Sequence, residues 1–202
     1  MTATGPITHL WIDTETTGLD LVDDALLEVA IVATDTDLNE VFATESLIRP
    51  TATAFARLLS NPVVSQMHAT SGLIAELRRS SPAKLPTAAD FEARVLELLD
   101  LSECAPEIRL AGGGVAAFDQ PLVKLRMPRL TARLHYRPLD TSVVMQAYLD
   151  ATGHELYRKT DAKRHRAMAD IREDIEVAKT IWGMFRAIEE ARSSEERTSP
   201  RM

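Results

Sequence analysis

The sequence predicts an α/β layer fold, a mixed central sheet flanked by helices. Three observations predict it. Three strand-like apolar runs follow one another near the start, helical and strand-like segments then alternate, and the chain closes on one long amphipathic helix. With 202 residues, 45% hydrophobic and 26% charged, the composition is that of one globular domain. We expect it to span residues 1–190, with a polar, flexible tail over residues 191–202.

The first strand is Ile7 to Asp13, an apolar run that stops at the turn signal Thr16, Thr17, Gly18. Leu26 to Asp35 is almost wholly apolar and β-branched, which suits a strand covered on both faces. A turn at Asp35 to Asn39 leads to a third strand, Val41 to Ile48, closed by Arg49 and Pro50 because proline cannot continue a ladder. From Thr53 to Ser80 short helical pieces are broken at Asn61-Pro62 and Ser71-Gly72. Thr87 caps a longer helix whose stripe is Phe91, Val95, Leu98 and Leu99. Ile108 to Ala111 is a buried strand running into Gly112, Gly113 and Gly114, followed by a helix carrying Leu122, Val123 and Leu125. Leu134 to Leu139 is a further strand, and Thr141 caps a helix through Leu149. Ala167 to Ile188 is the longest helix, with Ile171, Ile175, Ala178, Ile181, Trp182 and Phe185 on one side.

The composition also narrows the function classes. A single Cys104 rules out an internal disulfide and a Cys-rich zinc site. The opening MTATGPITHL has no basic and apolar leader, and no stretch approaches the roughly 18 apolar residues of a membrane span, so a cytoplasmic protein with no membrane partner is expected. A formal charge of −7 is opposite to the usual footprint of a protein that grips long duplex. Carboxylates that bind cations would nonetheless let an acidic chain meet a nucleic acid, since the ions reverse the local field.

Asp13 and Glu15 stand two apart at the end of an apolar strand, so both project from one face. Such a like-charged pair is costly unless cations neutralise it, and hard divalent ions bind through carboxylate oxygens and substrate phosphates. The same spacing recurs at Asp35 with Asp37, Asp90 with Glu92, and Asp174 with Glu176, so most instances in this chain are assigned to solvated surface. Asp119 opens a helix, where an acid is also favoured by the helix dipole alone. His165 and Asp170 are five apart and would diverge by about 140° on one continuous helix, so they share a site only if His165 lies in the loop before the helix. Arg158, Lys159, Lys163, Arg164 and Arg166 give that loop a positive charge, although a solvated surface role is the better reading for each of them taken singly.

Together these segments resemble a family. WIDTETTGLD at residues 11–20, the glycine run ending in Phe118-Asp119, and HRAMADIRED at residues 165–174 look like the three motifs of the DEDDh 3′-to-5′ exonucleases. HATSGL at 68–73, MPRL at 127–130 and HYRPLDTS at 135–142 are similar to its oligoribonuclease branch. The resemblance runs from about Leu10 to Phe185 and implies a ribonuclease H-like fold. It also implies that Asp13, Glu15, Asp119 and Asp170 hold two divalent metal ions, Mg²⁺ or Mn²⁺, and that His165 is the general base. Leu19 would be an apolar wedge against the terminal bases, with Thr17 and Gly18 near the 3′ end; a packing role for Leu19 is the alternative. His68, Arg137 and Ser142 would cap a 5′ phosphate, while Tyr136 and Arg137 would reach the site of a partner subunit in a homodimer. Glu28 interrupts an apolar strand, and a buried acid needs a partner, so it is read as a supporting group and not as a ligand.

Two positions depart from the branch. Val63 stands where an aromatic would stack on a base, an interaction worth roughly 1 to 3 kcal/mol. Val115 follows three glycines where the branch has a phosphate-capping serine. The expected activity is removal of 5′-mononucleotides from the 3′ end of short single-stranded RNA or DNA. The alternatives are a general single-strand exonuclease of the proofreading type, a non-catalytic nucleic-acid binding module, and a structural protein with coincidental motifs.

Overall fold

The computed structural model describes residues 4–158 and 165–198. Five strands, β1 (Ile7–Thr16), β2 (Leu26–Thr34), β3 (Glu40–Leu47), β4 (Cys104–Gly112) and β5 (Leu134–Asp140), form one sheet in the order β3-β2-β1-β4-β5. The first three make an antiparallel meander, whereas β4 and β5 run parallel to β1, so the sheet is mixed as expected.

Between β3 and β4 lie α1 (Ala52–Ser60), α2 (Pro62–Thr70), α3 (Leu73–Arg79) and α4 (Ala88–Asp100). After β4 come α5 (Asp119–Arg126), α6 (Pro128–Thr131), α7 (Thr141–Thr152, after β5) and α8 (Ala167–Thr198). Asn61 ends α1 and caps α2, its side chain accepting from the Val64 amide ahead of Pro62 in the first turn. Thr87 and Asp90 close a reciprocal capping box on α4. No helix among the described residues is long and apolar enough to cross a membrane.

Strand alternation splits the core into two layers. Leu10 and Ile12 of β1, with Val29 and Ile31 of β2, pack against Phe91, Val95 and Leu99 of α4 and Leu122 and Val123 of α5. Trp11, Ala30 and Val32 face the other way, against Ala167, Ile171, Ile175 and Ala178 of α8. Asp13 and Glu15 share the parity of Trp11, so β1 directs both acids toward the α8 layer.

Four boundaries differ from expectation. β1 continues to Thr16, because Glu15 pairs with Glu28 and Thr16 with Leu26 across a bulge. β4 starts at Cys104, ahead of the apolar run, through its parallel pairing with Ile7. Asp140, not Thr141, caps α7: its side chain accepts from the Ser142 amide, while Thr141 is buried as the first helical residue. α8 extends to Thr198, so the tail expected from residue 191 is helical that far. Phe185, expected on the packed side, is 52% exposed.

Candidate active site

Three elements bring the acids together. β1 carries Asp13 and Glu15, the latter buried, and α8 carries a buried Asp170 on its first turn, its amide donating to the Arg166 carbonyl at 3.1 Å. His165 precedes α8 with φ +50°, a left-handed conformation that breaks the helical path. This break overcomes the divergence expected on a continuous helix: Glu15, His165 and Asp170 each offer a donor atom within 4.8 Å of the other two.

Asp119 approaches from α5. Thr14, on the opposite parity to Asp13, donates its hydroxyl to Asp119 Oδ1 at 2.6 Å. A cavity of about 250 Å³ is lined by Asp13, Glu15 and Asp119 together with Gly18, Leu19, Val64 and Met67. A second, of about 390 Å³, is lined by Asp13, Asp170 and Asp174 with Ser142, Met145 and Tyr157. Asp13, Gly113 and Gly114 line both.

The glycine run makes that junction possible. Gly113 donates its amide to Asp174 Oδ2 at 2.7 Å, and a Cβ on Gly113 would lie 2.7 Å from Asp174 Oδ1. Gly114, at φ +81°, donates to Asp140 Oδ1, and Ala116 donates to Asp140 Oδ2. Burial raises the Asp140 pKa, but the Ser142 hydroxyl and the amides of Ala116, Gly114 and Ser142 outweigh it and hold the carboxyl below its ordinary value. Val115 is fully buried in the core.

The turn after β1 is built around Asp24. Its Oδ1 accepts from the Thr17 hydroxyl and its Oδ2 from the Asp20 amide, while Arg126 Nη2 donates to the carbonyls of Leu21, Val22 and Asp24. Held in this way, Leu19 projects 82% exposed, which removes the packing alternative.

The residues read as phosphate-capping are dispersed. His68 is fully buried under β1, its Nε2 donating to the Thr16 carbonyl at 2.9 Å, and it lines neither cavity. Its Nδ1 lies 3.8 Å from Glu15 Oε2. Burial lowers the His68 pKa and the nearby His165 ring adds to this, against the Thr16 hydrogen bond and the charge of Glu28. Ser142 lines the larger cavity, with its hydroxyl donated to Asp140 at 2.6 Å. Tyr136 is exposed on the edge strand β5 with the Arg137 guanidinium 5.1 Å from its ring centre, and neither residue lines these cavities. Lys159, Lys163 and Arg164 lie outside the described residues.

Each of the three further acid pairs, expected to be mostly solvated surface, has one buried member. Asp35 accepts from the amides of Gly5, Asp37 and Asn39, Glu92 from those of Arg129 and Leu130, and Asp174 from that of Gly113. Their partners are backbone groups distant in sequence or inside turns, which side-chain spacing does not register. Asp140 was missed for the same reason, and Thr14 because its partner, the Asp119 carboxylate, lies 105 residues away in sequence.

A family profile described as Exonuclease matches residues 10–178. The chain belongs to the exonuclease family. It is 36% identical over 169 residues to an oligoribonuclease of Nocardia farcinica, covering 82% of this chain and 75% of the relative. An oligoribonuclease of Leifsonia xyli is 37% identical over 171 residues, covering 82% and 78%. Among solved structures, the zinc-bound E. coli ExoI–ssDNA complex superposes with a TM-score of 0.62 at 18% identity over 88% of this chain. Exonuclease I of Methylocaldum szegediense gives 0.60 at 18% identity over 86%. This exonuclease spans about two fifths of each of those chains (40% in both cases), and its fold is ribonuclease H-like.

Proposed function

We propose that this exonuclease shortens single-stranded oligonucleotides from the 3′ end, releasing 5′-mononucleotides, with short RNA as the leading substrate. The observation that carries the reading is the meeting of Asp13, Glu15, Asp119, Asp170 and His165 around two adjoining cavities.

The donor chemistry fits divalent cations: four carboxylates offer hard oxygen ligands of the kind that suits Mg²⁺ or Mn²⁺. Asp13, Glu15, Asp119 and Asp170 would hold two of them. When bound, such ions stabilise the attacking and leaving oxygens of an in-line displacement. The protein's own groups do the rest. His165 accepts a proton from the attacking water, a task suited to imidazole near neutral pH. Thr14 fixes the carboxylate of Asp119. Leu19 sets the terminal base against Val64 and Met67, and Gly18 meets the 3′ end, while Thr17, buried with its amide on Ala25 and its hydroxyl on Asp24, holds the turn behind them. Ser142 sits where the 5′ side of a short substrate would lie. Tyr136 and Arg137 act on the site of a second copy in a homodimer, which agrees with their exposure on an edge strand. His68 supports Glu15 and Thr16 from below.

A second reading, a general exonuclease of single-stranded DNA or RNA, is favoured by Val63, which is 76% exposed without an aromatic ring to stack, and by the buried Val115. A 5′-labelled length series in RNA and DNA separates the two. Fastest loss of dinucleotides supports the first, and shortening of longer strands while dinucleotides persist supports the second. No turnover by wild type with either cation, at the level of an Asp13→Ala control, would overturn both.

A further inference from the structure

Glu28 lies on β2 directly across from Glu15, and is 3% exposed. Two carboxylates in register on one sheet face repel each other, so a compensating charge is required. Arg166 supplies it. Its Nε donates to both Glu28 oxygens at 3.0 and 3.2 Å, and its Nη2 to Oε1 at 2.8 Å. The same Nη2 lies 2.8 Å from Glu76 Oε2 on α3, and the Ala167 amide donates to Glu28 Oε2 at 3.1 Å.

Every one of these bonds acts on the two residues immediately after His165. Arg166 joins strand and helix through a planar fork, and Ala167 is the first residue of α8. His165 itself is left-handed, a conformation that a non-glycine residue keeps only where its surroundings enforce it. The buried Glu28 carboxylate holds the backbone on the C-terminal side of His165, through Arg166 and the Ala167 amide.

We propose that Glu28 and Arg166 are positioning residues: the clamp they form with the Ala167 amide sets the backbone of His165 and so aims its ring at the space shared with Glu15 and Asp170. The inference rests on the reading of His165 as general base. Neither Glu28 nor Arg166 lines either of the two cavities. The clamp acts through the direction of one imidazole, and its bridge to Glu76 ties that direction to α3, which follows the helix carrying Val64 and Met67.

The test is a double-mutant cycle on steady-state turnover of a short RNA, with Glu28→Gln and Arg166→Lys each made alone and in a His165→Ala background. Arg166→Lys keeps the charge but loses the fork, and Glu28→Gln keeps the shape. Thermal unfolding of all five variants identifies any that fail to fold. The expected result is a fall in kcat of about ten- to a hundredfold in each folded single variant, with KM unchanged. In the His165→Ala background neither substitution causes further loss, because the group being aimed is gone. A merely structural role would lower activity in both backgrounds alike. Wild-type kcat in both single variants, or losses that multiply in the His165→Ala background, would overturn the clamp and leave the base assignment standing. Wild-type turnover by His165→Ala alone would overturn the base assignment, and the clamp's function with it.

Discussion

The hydroxyl of Thr14 donates to Asp119 Oδ1 at 2.6 Å, joining residues 105 apart in sequence. Thr14 faces the layer opposite to Asp13 and Glu15, so one strand supplies two acids from one face and fixes a third from the other. The geometry of the site is therefore set by alternation along β1, with α5 and α8 docking on its two sides.

Thr14→Val should preserve the shape and remove this bond. Loss of one hydrogen bond to a charged acceptor costs about 1.5 to 3 kcal/mol, so a lowered unfolding midpoint is expected. Asp119 would be less well aimed, and the Mn²⁺ concentration needed for half-maximal turnover should rise about tenfold or more. A cation requirement equal to that of wild type would show that Asp119 is held in place by its remaining contacts.

Asp13 lines both cavities, which makes it the acid best placed to serve two cations. Asp13→Asn should abolish turnover while the fold persists. Thermal unfolding provides an independent readout: a ligand bound only by the folded state raises its stability by mass action. Mg²⁺ or Mn²⁺ should raise the wild-type midpoint and leave that of Asp13→Asn almost unmoved. Equal shifts in both proteins would place the cations elsewhere.

Much of this site was legible because its acids lie in runs with a local signature. Asp13 and Glu15 stand at the end of an apolar strand, and the convergence of His165 with Asp170 required only that the helix start after His165, as it does at Ala167. What was hidden depends on contacts between segments. Asp174 has the same two-residue spacing to Glu176 as many surface acids, yet it is buried because the Gly113 amide reaches it from β4. His68 matches a ligand-binding position by motif, but α2 packs it beneath β1, where its Nε2 is committed to Thr16. The extent of β1 likewise depended on a partner, since Glu15 and Thr16 are strand only through their pairing with β2.

Asp140 predicts an acid dependence of stability. Its folded pKa lies below the ordinary 3.8, because four hydrogen bonds to the charged form outweigh burial. A carboxyl depressed on folding contributes stability that is present above its unfolded pKa and lost as pH falls through the folded value. Wild-type protein should therefore lose stability below about pH 3.8 as the grip of Asp140 on Gly114 and Ala116 is released. Asp140→Asn should be less stable at neutral pH and show a flatter decline in acid, read from urea midpoints at successive pH values. Parallel declines in the two proteins would assign the acid loss to other carboxyls.

Leu19 separates binding from stability. Because it is 82% exposed, Leu19→Ala should leave the unfolding midpoint unchanged. Covering a leucine side chain with a base removes apolar surface worth about 1.5 to 3 kcal/mol, so KM for short strands should rise about tenfold or more. Arg126→Met provides the contrast, since Arg126 Nη2 serves three carbonyls of the same turn and its loss should lower both stability and activity. Unchanged KM in Leu19→Ala would remove the wedge from the mechanism.

Val63 offers a gain in place of a loss. It is 76% exposed in the first turn of α2, one residue before Val64, which lines the smaller cavity. A tryptophan there would present a ring to a base without disturbing the core, and stacking contributes roughly 1 to 3 kcal/mol per base. Val63→Trp should therefore lower KM for dinucleotides by about fivefold or more, with a smaller effect on longer strands, which have further contacts to hold them. An equal change at all lengths would mean that the ring grips the strand in general. No change at any length would place the substrate's bases away from α2, and the preference for short strands would then have to come from Leu19 and the larger cavity alone.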